Sequence, residues 1–185
     1  MQQTANRKNI CIIYATREGQ TEKVATQIAI HLRNAAASVQ LSNAIAISPA
    51  DIDLAGFDLL VFGGSMHAGG LEKELVNFIN CHQHAIEPKV RSFFLVLLSA
   101  ATKDASLRAT WLEDARTKMA QQLQVHFPEV EMIAGALKYS RYSLPLQWMM
   151  QRIAKQAGEG TDTSRDYEYT DWQQVKQYSV KLLEM

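Results

Sequence analysis

Thr16, Arg17, Glu18, Gly19, Gln20 and Thr21 place two hydroxyls, a glycine and an amide within six consecutive positions. They follow an apolar run, NICIIYA at 9–15, and precede a helical pattern. The chemistry open to such a junction is anion binding. A helix start presents unpaired N–H groups and the positive end of its dipole. Thr16 and Thr21 add hydroxyl donors, and Gly19 lets the backbone come close to a phosphate. The spacing is too short for a Walker loop, no Lys-Ser/Thr pair follows, and G-x-G-x-x-G is absent. Nucleoside triphosphates and NAD are therefore poorly served, and a monophosphate fits best. Taken alone, the same residues also suit a plain strand-to-helix turn with a polar cap.

Two further strand ends carry small residues, GGSMHAGG at 63–70 and LSAATKD at 98–104. Three adjacent loops with exposed amides suit a phosphate in one and a flat ring between the other two. Flavin mononucleotide (FMN) has that shape.

The elements that must position these loops follow from periodicity. Continuous apolar runs at 9–15, 57–65 and 90–101 predict strands covered on both faces, with a weaker strand at 38–44 and a fifth strand at 130–137. Helical spacing marks 20–36 (Val24, Ile28, Leu32), 71–85 (Leu71, Leu75, Phe78, Ile79), 106–124 (Leu107, Trp111, Ala115, Leu123) and 170–183. Thr170-Asp171-Trp172-Gln173 has the pattern of a capping box at the start of the last helix. Strictly alternating strands and helices imply an α/β fold with a parallel sheet covered on both faces. The 185 residues fit one domain, spanning 9–185.

Net charge is zero, which argues against nucleic acid as a partner. Only two cysteines occur and the N-terminus is not signal-like, so reduced thiols in a cytoplasmic setting are expected. No run reaches the ~18 apolar residues of a membrane span. Cys81, His82 and His84 resemble a metal cluster, but helical neighbours point apart, and no metal site is expected.

An insertion at 138–169 interrupts the rhythm, and connections this long usually have a function. Its 138–158 stretch holds Lys138, Arg141, Arg152 and Lys155 and no acid. Leu146, Met149, Met150, Ile153 and Ala157 fall on one helical face, with Pro145 suited to the helix start. Such a helix could lie in a membrane interface with Tyr139, Tyr142 and Trp148 as anchors. It could equally pack on the protein's own sheet, or its cations could recognise carboxylates.

T-x-x-G-x-T after the first strand resembles the phosphate loop of flavodoxins, with Glu18 where many members have Ser or Thr. Over nearly its full length the chain is similar to the flavodoxin-like, menaquinone-dependent protoporphyrinogen oxidases of bacterial haem synthesis. The distinctive matches are YATREGQT at 14–21, the GGS…G loop, AGALKYSRY at 134–142 and GEGTDTSRDYEYTDW at 158–172. The resemblance implies a flavodoxin-like three-layer sandwich, five parallel strands in order 2-1-3-4-5 with the insertion before the last helix. It implies FMN as cofactor, its phosphate held by residues 16–21. Ser65, Met66, His67, Ala68 and Gly69, with Ser99, Ala100 and Ala101, would flank the ring. It further implies oxidation of protoporphyrinogen IX to protoporphyrin IX, removing six electrons in three two-electron turns. The acceptor would be a quinone, menaquinone or ubiquinone. Chemistry would reside on the cofactor rather than on a catalytic side chain. Lys138, Arg141 and Tyr142 are the candidate substrate contacts, and the implied location is peripheral, on the cytoplasmic face of the inner membrane. One departure stands out: His67 and Ala68 replace the basic and aromatic residues of the best-known members. Neither flanking loop holds an aromatic, so an open ring face is expected, one that admits a wide planar partner.

Overall fold

Ile10, Ile12 and Ile13 are β-branched and Cys11 is small and apolar, which favours an extended strand with both faces covered. They lie in β1, Asn9–Tyr14, where every residue but Asn9 is buried. The computed structural model describes residues 7–66, 70–141, 144, 147–148, 151 and 162–185. In it β1 pairs in parallel with Ser38–Asn43 (β2) on one side and Leu59–Ser65 (β3) on the other. Val90–Leu97 (β4) and Val130–Ala134 (β5) complete the expected order β2-β1-β3-β4-β5.

Side chains alternate across this sheet, as strand geometry demands. Cys11 and Ile13 face a core built with Leu75, Phe78 and Ile79 of α2 (Lys73–Cys81), Ile86 of α3 (Gln83–Ile86), and Ala115 and Met119 of α4 (Ala105–Gln122). Ile10, Ile12 and Tyr14 face the other core, with Val24, Ile28 and Leu32 of α1 (Gln20–Asn34) and Val175, Tyr178 and Leu182 of α5 (Trp172–Glu184). The result is three layers. A fully buried phenylalanine side chain contributes about 1.5–3 kcal/mol, and Phe62, Phe93 and Phe94 sit at 0 % exposure in the sheet itself.

Several boundaries differ from the periodicity. The fourth strand stops at Leu97, and Leu98–Ala101 forms a 3-10 turn. The fifth breaks at Gly135. There Ala136–Leu137 (β6) leaves the main sheet and pairs antiparallel with Tyr167–Glu168 (β7), so the two ends of the insertion form a small ladder of their own. The 71–85 helix divides at His82, whose ring stacks on Phe78 at 4.4 Å. Leu107 is 43 % exposed; Met119 takes the core place expected of it. The last helix is capped by Asp171, whose carboxylate accepts from the N–H groups of Gln173 and Gln174, and not by a Thr170 capping box.

Candidate functional site

A parallel sheet brings all its strand C-terminal ends to one edge, and ligands of such sheets bind there. Here that edge holds Tyr14, Ser65, Leu97 and Ala134. The Phe94 ring packs directly over Gly63, where a Cβ would lie 2.0 Å from it.

Gly19 is the N-cap of α1 and adopts φ 88°, the left-handed region that glycine occupies without strain. Its N–H donates to Thr16 Oγ1 at 2.9 Å, curling the 16–19 loop over the helix start. The Thr16 hydroxyl proton stays available to a ligand. Arg17 turns away from this loop. Its guanidinium donates to both carboxylate oxygens of Glu74 at 2.9 and 2.7 Å, and this bond holds Glu74 below the usual carboxylate range.

Thr16, Glu18, Gln20, Thr21, Ser65 and Met66 line one cleft, so the first two predicted loops meet. The third loop contributes differently. Leu98 lines this cleft, whereas Ala100 and Ala101 line a neighbouring depression beside Lys103 and Arg108, and Ser99 lies in the turn between them. His67, Ala68 and Gly69 lie outside the described residues. Ser65 is fixed by Glu72, a carboxylate only 4 % exposed, which accepts from the Ser65 N–H at 3.1 Å and from its hydroxyl. Met66 donates to Val96 O at 3.2 Å, extending the β3–β4 pairing one step past the strand end.

Sequence reasoning missed Val96, Leu97, Gly135 and Ala136, which close the far wall. The signal was Gly135 inside an apolar run, since an isolated strand glycine marks a break or a close approach. It also missed Thr170. Gln20 Nε2 donates to Thr170 Oγ1 at 2.8 Å, and Thr170 donates to Ala134 O at 2.7 Å. Because the Thr170 proton is committed to Ala134, the Gln20 amide must present its NH2 to Thr170. Its Oε1 is then left buried with no hydrogen-bond partner among the described residues, in a residue that lines the cleft. An orphaned buried acceptor is costly. A ligand bearing hydroxyls would satisfy it, while the loop amides and threonines suit a phosphate. A phosphorylated polyol such as the ribityl phosphate of FMN fits this donor set. Among the described residues no aromatic side chain lines the cleft.

The candidate substrate residues separate. Lys138 lines a depression beside the 16–21 loop, with Glu18, Gly19, Gln20 and Lys23. Arg141 ends the 3-10 turn Tyr139–Arg141. Tyr142 lies outside the described residues, as do Pro145, Leu146, Met149, Met150, Arg152, Ile153, Lys155 and Ala157 of the amphipathic stretch. Tyr139 cannot be an interfacial anchor. It is fully buried, packed edge-on to Tyr167, which itself stacks on Tyr169. Leu144 and Trp148, by contrast, are 80 % and 62 % exposed. Asp166 accepts from the Ser140 N–H and hydroxyl at 2.9 and 2.8 Å, bracing the two arms of the insertion together. No helix among the described residues is long and apolar enough to cross a membrane.

A family model described as a flavodoxin domain matches residues 11–164. Protoporphyrinogen IX dehydrogenase (quinone) of Escherichia coli K12 is 27 % identical over 171 residues, 92 % of each chain. A protein of the same name from Leishmania major is 25 % identical, over 91 % of this chain and 71 % of that one. Among solved structures, oxidised flavodoxin 1 of Bacillus cereus superposes with TM-score 0.55 at 16 % identity, covering 96 % of this chain and 98 % of that one. Flavodoxin 2 of the same organism gives 0.56 over 95 % and 98 %, also at 16 % identity. These structural likenesses speak to the fold.

Proposed function

This chain belongs to the flavodoxin domain family, and from that premise we propose that it is an FMN-dependent oxidoreductase of haem biosynthesis that oxidises protoporphyrinogen IX to protoporphyrin IX and passes the electrons to a quinone. The observation that carries this reading is the match to proteins named for that reaction, continuous over 92 % of both chains. The cleft supports a flavin: it joins an anion-binding helix start, a buried hydroxyl acceptor and two backbone turns at one sheet edge. Bound there, FMN supplies the two-electron chemistry, and the protein supplies position and electrostatics.

In this reading Thr16, Thr21 and the amides of 18–21 hold the phosphate, and Gln20 Oε1 accepts from the polyol chain. Ser65, Met66 and the 98–101 turn flank the ring, with Glu72 fixing Ser65. The unlined ring face admits a wide tetrapyrrole or a quinone, where large aromatics would shut them out. Arg141 and Tyr142, which follow Lys138 in the chain, are the residues assigned to the substrate carboxylates in this reading. Leu144 and Trp148, both exposed, support peripheral contact of the insertion with the membrane that dissolves the quinone.

Anaerobic mixing tests the reaction. Protoporphyrinogen IX should bleach the FMN-loaded protein, and menaquinone or ubiquinone should restore the yellow absorbance. Bleaching only by a partner reductase would mark an electron carrier instead, and bleaching by NADPH a nicotinamide-fed quinone reductase.

A further inference from the structure

The turn at 98–101 separates two hollows at the strand ends. Leu98 lines the cleft, whereas Ala100 and Ala101 line the neighbouring depression. The end of β5 divides in the same way, with Gly135 on the cleft and Ala134 on the depression. Adjacent residues of the same segments thus line the two, so a ligand in the depression lies beside whatever fills the cleft. Backbone bonds hold this partition. Thr102 N–H donates to Ser99 O at 3.2 Å, Gly135 N–H to Leu97 O at 3.1 Å, and Tyr169 N–H to Gly135 O at 3.0 Å.

The depression holds about 620 Å³, inside the range of small-molecule sites, roughly 300–1,000 Å³. Ala100, Ala101, Leu112, Met132 and Ala134 give it an apolar lining, and Tyr169, stacked on Tyr167 with 6° between the ring planes, adds an aromatic one. Two exposed cations, Lys103 and Arg108, line it as well. Arg108 Nη1 donates to Thr102 O at 3.3 Å, which ties the guanidinium to the turn and leaves its other donors open. Neither cation has a carboxylate partner among the described residues. The acid in the lining, Asp171, accepts from the N–H groups of Gln173 and Gln174 as the cap of α5. Apolar and aromatic walls with two cations suit a flat ring system that carries carboxylates. A neutral quinone would fill the walls and gain nothing from the charges.

We propose that this depression seats the carboxylate-bearing part of the tetrapyrrole, with Lys103 and Arg108 as specificity-determining contacts beyond those assigned to Arg141 and Tyr142. The inference rests on the reaction proposed above. It sets the substrate on one side of the 98–101 turn and the flavin on the other.

Protoporphyrin IX, the oxidised product, keeps the carboxylates, and its dimethyl ester masks them. Titration of the FMN-loaded full chain with each, in the same mild detergent, reads the contribution of the charges. Lys103→Met combined with Arg108→Met should weaken protoporphyrin IX binding about tenfold, as expected for loss of solvent-exposed charge pairs. Binding of the ester and of FMN should not change, which also reports that the variant is folded. Turnover of protoporphyrinogen IX should show a raised KM with kcat little altered, and Lys103→Arg should behave as wild type. Equal loss of the acid and the ester, or no loss of either, would overturn the proposal while leaving the reaction intact. A wild-type chain that binds neither porphyrin and is not bleached by protoporphyrinogen IX would overturn both.

Discussion

Gln20 and Thr170 are 150 residues apart in the chain, yet the Gln20 amide donates to the Thr170 hydroxyl at 2.8 Å in a buried contact. The bond ties the first turn of α1 to the entry of α5 and leaves the Gln20 carbonyl oxygen as a buried acceptor. Thr170→Val removes the acceptor of Gln20 and the donor to Ala134 at once. Leaving buried polar groups unpaired costs about 1–3 kcal/mol. Urea denaturation should show a loss of that size, accompanied by weaker FMN binding. A variant as stable as wild type would mean that this contact is not formed.

Gly19 at φ 88° sets a second prediction. A side chain there costs about 1–2 kcal/mol in the left-handed region, and the loop must open to relieve it. Gly19→Val combined with Thr21→Ala should therefore release FMN readily, as followed by flavin fluorescence. Unchanged affinity would place the phosphate elsewhere.

Gly63→Ala should be poorly tolerated. Its Cβ would meet the Phe94 ring at 2.0 Å, and overpacking of a filled core costs about 1–3 kcal/mol. Phe94→Leu should recover part of that loss in the double variant, a non-additivity readable from urea midpoints.

Alkaline pH should weaken the fold. Burial pushes the Cys11 thiol from 9.0 up to about 12. Burial, then Glu22, pushes the Tyr14 hydroxyl from 10.0 up to about 12. Both folded values lie above the unfolded ones. The neutral forms therefore stabilise the protein fully below about pH 9 and lose that contribution as pH rises toward 12. The urea midpoint should fall over this interval, and Cys11→Ala should fall less steeply than wild type. A midpoint independent of pH would contradict the burial of these groups.

The sheet and its helices were legible because each buried face repeats. Ile10, Ile12 and Ile13 announce β1, and Val24, Ile28 and Leu32 announce α1, and all are buried. The turn at 16–19 was legible because its residue types act locally: Gly19 takes the left-handed conformation and donates to Thr16. What stayed hidden depends on distant partners. Nothing near Thr170 says that it answers Gln20, and its Ser/Thr-like spacing suggested a cap that Asp171 provides instead. Gly135 looked like part of one strand, because apolar continuity does not reveal where a chain leaves one sheet for another ladder. Tyr139 looked amphipathic from its type, yet the turn at 139–141 rotates it inward against Tyr167. Lys138 could be recognised as basic but not located, since only the β6–β7 register brings it to the depression that Glu18 also lines.

Fluorescence titration of the full chain with FMN measures whether the three strand ends seat the flavin. Saturable quenching of FMN emission with one equivalent bound, and a yellow protein after gel filtration, is the expected result. FMN that stays free and fluorescent in the presence of excess folded protein would contradict it.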